Sequence, residues 1–104
     1  MEQPNLSFIK ELSGDDADFE KSMLDIIKIE FPEEVQLFKH NFQLKNYVEA
    51  SYNVHKIKHK IGLLGMQEGA ATASEFELAL KMGNTKLHAV FLKVIDKIHV
   101  YLFK

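Results

Sequence analysis

The 104-residue chain contains no cysteine. That excludes disulfides, cysteine nucleophiles and thiolate zinc sites. No apolar run approaches the ~20 residues that a membrane-spanning helix requires. The first residues, MEQPNLSFIKEL, lack a basic stretch followed by an apolar one and do not read as a secretory signal. A cytoplasmic protein is expected, and Met1 so close to the first helix points to a free-standing one. An excess of basic charge is also missing, since 13 basic side chains face 15 acidic ones for a net charge of −2. This weighs against nucleic acid as the main partner, which requires a basic footprint. The balance is uneven along the chain: acids crowd the first third and basic residues gather at 56 to 60. There is no glycine-rich phosphate loop, no GxSxG and no HExxH. Any chemistry therefore falls to histidines, lysines and carboxylates.

With 46% hydrophobic and 27% charged residues, the composition is that of a soluble globular domain rather than a disordered chain. The length fits a single domain over residues 1–104, of modest net stability. Two prolines and five glycines leave few breaks, and no segment alternates like a strand. A short helix is expected over about 5 to 12, with Leu6, Ile9 and Leu12 on one side. Gly14 suits its C-terminus, and Asp15 or Asp16 can cap the next helix. That helix carries Phe19, Met23, Ile26 and Ile27 to about Glu30, where Pro32 breaks or kinks it. Val35, Phe38 and Phe42 continue an apolar face to about residue 42. Asn46 with Glu49 resembles a capping box. Tyr47, Ala50, Val54, Ile57, Ile61 and Leu64 then form a regular stripe of threes and fours. A further helix covers about 67 to 82, with Ala70, Ala73, Phe76 and Leu80 inward. Gly83 and Asn84 separate it from a last helix presenting Leu87, Val90, Phe91, Val94, Ile98 and Tyr101. The expected fold is all-α, an antiparallel up-and-down four-helix bundle with a short N-terminal helix.

The stretch NVHKIKHKIGLLG, residues 53 to 65, concentrates the unusual features. His55 falls beside the apolar stripe, and Lys58, His59 and Gly62 share its face at three, four and seven positions on. A glycine inside a helix costs on the order of 1 kcal/mol relative to alanine, and close approach of another surface is one reason to keep it. The plainest reading is a solvated basic face. A second is metal, because His55 and His59 at i, i+4 can share a divalent ion. Three ammonium groups, Lys56, Lys58 and Lys60, weigh against that reading, as does the lack of an HExxH glutamate, and no metal site is assigned. A third is nucleophilic chemistry. Neutral imidazole, with a reference pKa near ~6.5, can accept a phosphoryl group at neutral pH. A lysine one turn away would stabilise the added charge.

VHKIKHKIGLLGM resembles the phosphoacceptor helix of histidine-containing phosphotransfer (HPt) domains. Their pattern runs small–His–x–hydrophobic–Lys–Gly, with Leu–Gly six and seven residues after the lysine. His55, Ile57, Lys58, Leu64 and Gly65 stand at those places. LSFIKELSGDDADFEKSML is similar to the opening of many such domains, and ASEFELALKMGN to the helix that follows the phosphoacceptor helix. The likeness covers nearly the whole chain. It implies that His55 is the phosphoacceptor, that Lys58 stabilises phosphate, and that Glu77 hydrogen-bonds the other imidazole nitrogen and fixes the tautomer. Lys56, His59 and Gly62 would belong to the partner surface. The sequence departs from the pattern in two places: His59 stands where glycine is usual, and Val54 where alanine is. His40, His88 and His99 form no motif and are read as solvated or core-edge.

The resemblance implies a phosphorelay intermediate rather than an enzyme with its own ATP site. Its partners would be response-regulator receiver domains, a hybrid histidine kinase, or both. No cofactor is implied, because the receiver's acidic site brings magnesium, and a monomer is expected. The alternatives are a bundle of the same kind that binds a receiver or kinase without transferring phosphate, and a metal-binding bundle built on His55 and His59.

Overall fold

In the computed structural model, which describes residues 2–104, five helices follow one another: α1 (Ser7–Ser13), α2 (Ala17–Gln43), α3 (Tyr47–Leu63), α4 (Gln67–Lys81) and α5 (His88–Phe103). There is no strand among the described residues, and no helix there is long and apolar enough to cross a membrane. Short turns reverse the chain between successive long helices. α2 packs on α3, α3 on α4, α4 on α5, and α5 returns to α2. This closes a four-helix bundle, which α1 covers at one end. The 27 residues of α2, at ~1.5 Å each, run most of the 44 Å long axis.

Asp16 caps α2 as expected, its side chain accepting a hydrogen bond from the Phe19 N–H at 3.0 Å. Pro32 does not divide the helix: α2 runs through it without interruption. A proline in a helix interior costs ~3 kcal/mol. Burial of Phe31 and Ile27 on one side of it, and of Val35 and Phe38 on the other, outweighs that cost. The buried face is therefore Ile27, Phe31, Val35 and Phe38. Phe19 and Ile26, expected inward, are about half exposed, as is Leu12 of α1.

The α3 stripe is as read from the sequence: Ala50, Val54, Ile57, Ile61 and Leu64 are fully buried and Tyr47 packs at their edge. The capping box does not form. Asn46 precedes α3 but its side chain makes no capping bond. α5 keeps most of its expected face, with Leu87 and Val94 packed against the core. Phe91, Ile95, Ile98 and Leu102 are buried, while Val90 and Tyr101 face solvent. Phe38, Phe76 and Phe91, from three helices, meet with ring centroids 5.1 to 5.9 Å apart and form the aromatic centre of the core.

α3 and α4 form the closest pair in the bundle. A Cβ on Gly69 would lie 2.9 Å from Val94 Cγ1 and 3.1 Å from Ile61 Cγ2, so the start of α4 is pressed between α3 and α5. The turn before it needs Gly65, which has φ +77° and the Asn5 side chain 2.6 Å from where a Cβ would stand. Residues 2–5 lie over this turn. The Asn5 N–H donates to the Leu64 carbonyl at 2.8 Å. The Glu2 carboxylate accepts from the Glu68 and Gly69 N–H groups at 2.7 and 2.8 Å, and Lys97 Nζ donates to the Glu2 carbonyl at 3.1 Å. Glu2 thus satisfies two of the free donors at the start of α4, which has no cap of its own.

Candidate functional site

His55 lies in the middle of α3, on the side away from the core stripe, with its side chain 51% exposed. The tight α3–α4 pairing brings Glu77 alongside, with Oε1 2.9 Å from His55 Nδ1. The Glu77 side chain is only 13% exposed. Burial there works against its charge, yet the hydrogen bond from His55 and the positive charge of Lys58 outweigh that effect and hold the carboxyl below its ordinary value. An ionised carboxylate can only accept hydrogen bonds. The His55 proton therefore sits on Nδ1, and in the neutral ring the lone pair is on Nε2, the nitrogen turned away from Glu77.

Two lysines also approach Glu77. Lys58 Nζ lies 3.5 Å from Oε1, with its side chain 26% exposed, and Lys81 Nζ lies 3.7 Å from Oε2. Lys81 was not among the expected site residues. Its only signal is the i, i+4 spacing from Glu77 on α4.

His59, one turn after His55, points its own Nε2 at that of His55, 3.5 Å away, with the ring centroids 5.0 Å apart and the planes tilted by 65°. The histidine that replaces the usual glycine thus lies directly against the free nitrogen. Gly62 is exposed, and nothing stands within 4 Å of the place its Cβ would occupy. No packing within the molecule calls for glycine there.

The basic run is less free than its sequence implies. Lys60 turns toward α2, where Glu30 and Glu34 each hold its Nζ at 3.0 Å. Burial opposes the ammonium charge, but these two carboxylates win and keep its pKa above the ordinary lysine value. Lys56 makes no ion pair among the described residues. Glu30 and Glu34 line a shallow cleft with His55, Lys56, His59 and Lys60. One oxygen of Glu34, Oε1, is buried there with no hydrogen-bond partner among the described residues. Sequence reasoning passed over both glutamates. The signal was present as two acids four apart on α2, but which helix they face depends on how α2 and α3 pair.

The remaining histidines stand apart. His40 and His99 are exposed, whereas His88 stacks flat on Phe42 at 3.8 Å between centroids. No group of three or more His, Cys, Asp or Glu among the described residues is placed to hold a metal ion. No family model matches the chain, and no curated protein or solved structure matches it either.

Proposed function

We propose that the protein is a phosphorelay intermediate: a cytoplasmic monomer that takes a phosphoryl group onto His55 from the aspartate of one receiver domain and passes it to the aspartate of another. The observation that carries this reading is the 2.9 Å contact between Glu77 Oε1 and His55 Nδ1 under a half-exposed ring. It leaves a lone pair on an outward nitrogen and fixes the ring that bears it. In the transfer, His55 Nε2 attacks phosphorus, the bond from phosphorus to the receiver's aspartate oxygen breaks, and the aspartate carboxylate leaves with the electron pair. Nδ1 keeps its proton, so the phosphorylated ring is positively charged, and Glu77 offsets that charge. The same steps in reverse deliver the group to a second receiver.

Such transfers ask the protein mainly for position and for compensation of charge. Lys58, one turn after His55 and 3.5 Å from Glu77 Oε1, would turn from that carboxylate to meet phosphoryl oxygens, with Lys56 on the partner surface. The receiver supplies magnesium, and with no nucleotide-binding motif in the chain, phosphate must come from a partner. Receiver domains or a hybrid kinase would dock over the exposed face of His55, His59 and Gly62. One observation favours a second reading, a bundle that binds a receiver without transfer: His59 sits 3.5 Å from the nitrogen that must react.

The test is incubation with a receiver domain charged by acetyl phosphate and magnesium. The expected product is an acid-labile, base-stable phosphoryl group on the chain, absent in His55→Gln. Position 55 is off the core, so that variant should keep its helix content. A full equivalent of phosphate on the His55→Gln protein would overturn the assignment. Receiver binding with no phosphate uptake by the wild type would leave the second reading.

A further inference from the structure

We infer that His55 and His59 form a two-histidine site for a zinc-class divalent ion, and that the ion competes with phosphate for His55 Nε2. The second clause rests on the relay reading above; the first does not. Two imidazole nitrogens bound to tetrahedral zinc at ~2.0–2.1 Å lie roughly 3.3–3.4 Å from each other. The two Nε2 atoms are 3.5 Å apart, close to that spacing, and both rings are exposed, so each can turn to aim its lone pair at a shared ion. Glu77 already holds His55 Nδ1, the outer carboxylate contact that metal-bound histidines characteristically make. That contact aims the Nε2 lone pair outward, as a metal ligand requires.

The lysines, which the sequence sets against a cation, are largely spent. Lys60 is held by Glu30 and Glu34, and Lys58 and Lys81 are both drawn to Glu77. Only Lys56 has no ion-pair partner among the described residues. Glu30 and Glu34 line the cleft beside the two rings, where their charges balance those of Lys60 and Lys56. No third protein ligand joins the pair, so water completes the coordination. An open site of this kind exchanges its ion readily, which suits regulation rather than structural support. One nitrogen cannot hold a metal and a phosphoryl group at once. By linkage, each must weaken binding of the other.

The experiment uses the full chain titrated with zinc chloride alone, followed by calorimetry and by the imidazole nitrogen resonances. One ion per chain is expected, with both Nε2 resonances shifted. His55→Gln and His59→Gln should each weaken binding at least about tenfold, the loss of one of two ligands. His99→Gln, remote from the pair, should not. Both substituted positions are exposed, so the variants should fold. In the transfer assay, zinc should slow phosphate uptake by the wild type and have much less effect on the rate of His59→Gln, whatever that variant's own rate. The variant thereby controls for zinc acting on the receiver. No binding below about 1 mM, or binding unchanged by His59→Gln, overturns the site. Zinc bound at the pair without slowing uptake overturns the competition. If zinc binds as described and phosphate is never accepted, the relay reading falls and the metal site stands.

Discussion

Consider replacing Gly62 with alanine. The position is helical and exposed, and no atom lies within 4 Å of where a Cβ would stand. The new methyl group meets nothing, while the unfolded chain loses conformational freedom it no longer has to surrender on folding. Glycine is ~0.8–1.0 kcal/mol worse than alanine in a helix interior, and Gly62 is in the last turn of α3, so a gain of about 0.5–1 kcal/mol is expected. For a domain of this size that raises Tm by roughly 2–6 °C. Gly69→Ala is the internal control. Its Cβ would press 2.9 Å from Val94 Cγ1 and 3.1 Å from Ile61 Cγ2. Overpacking of this kind costs ~1–3 kcal/mol, so Tm should fall. Thermal and urea melts followed by helical circular dichroism read both. If Gly62→Ala is destabilising, a demand on glycine within the fold has been missed and the reasoning fails. If it is stabilising, the glycine is kept for something outside the fold. Gly62→Leu should then weaken receiver docking while leaving the melt near wild type.

Lys58→Ala should slow phosphate transfer and shorten the life of the phosphohistidine without abolishing acceptance. A charge-assisted bond is worth ~1.5–3 kcal/mol, tens-fold in rate, and unchanged kinetics with several receivers would make Lys58 a solvated lysine. Glu77→Gln keeps an acceptor for Nδ1–H but removes the charge that offsets the phosphorylated ring, so acceptance should drop on the order of tenfold. Acceptance equal to wild type would show that the carboxylate charge plays no part. For His88, burial against Phe42 holds the imidazole below its ordinary value of 6.5. The unfolded chain then takes up the proton first. This contribution to stability is full above pH 6.5 and is lost as pH falls through 6.5 toward the lowered folded value. Urea melts between about pH 5 and 7.5 should show that part of the decline gone in His88→Gln, and an unchanged slope would refute it.

How far the sequence reads depends on the helix. α3 was legible because large apolar residues recur at threes and fours with only one possible face. α5 was legible in part: Leu87, Phe91, Val94 and Ile98 pack inward as read, but valines, leucines and aromatics surround the helix and its edges compete. Only contact with α2 and α4 chooses Ile95 and Leu102 over Val90 and Tyr101. The continuity of α2 through Pro32 escaped local rules because burial on both sides of the proline decides it. At the site, the position of His55 off the core followed from periodicity. Its link to Glu77, 22 residues away, was expected from the HPt resemblance, and the geometry places the two in contact. The grip of Glu30 and Glu34 on Lys60 was out of reach, because it depends on the register of α2 against α3.

The contacts of Glu2 and Asn5 bear on the order in which the bundle assembles. Glu2 joins backbone 66 and 67 positions away, and its carbonyl meets a lysine 95 positions away. Closing loops of that length gains nothing until the α3–α4 turn and α5 are in place. Residues 2–5, although synthesised before the rest of the bundle, are therefore expected to settle late, whereas α1 packs on α2, its neighbour in sequence. Contacts formed after the transition state slow unfolding and leave the folding rate nearly alone. A segment that docks in this order would act as a latch on the lifetime of the folded protein, covering the α3–α4 turn while it holds.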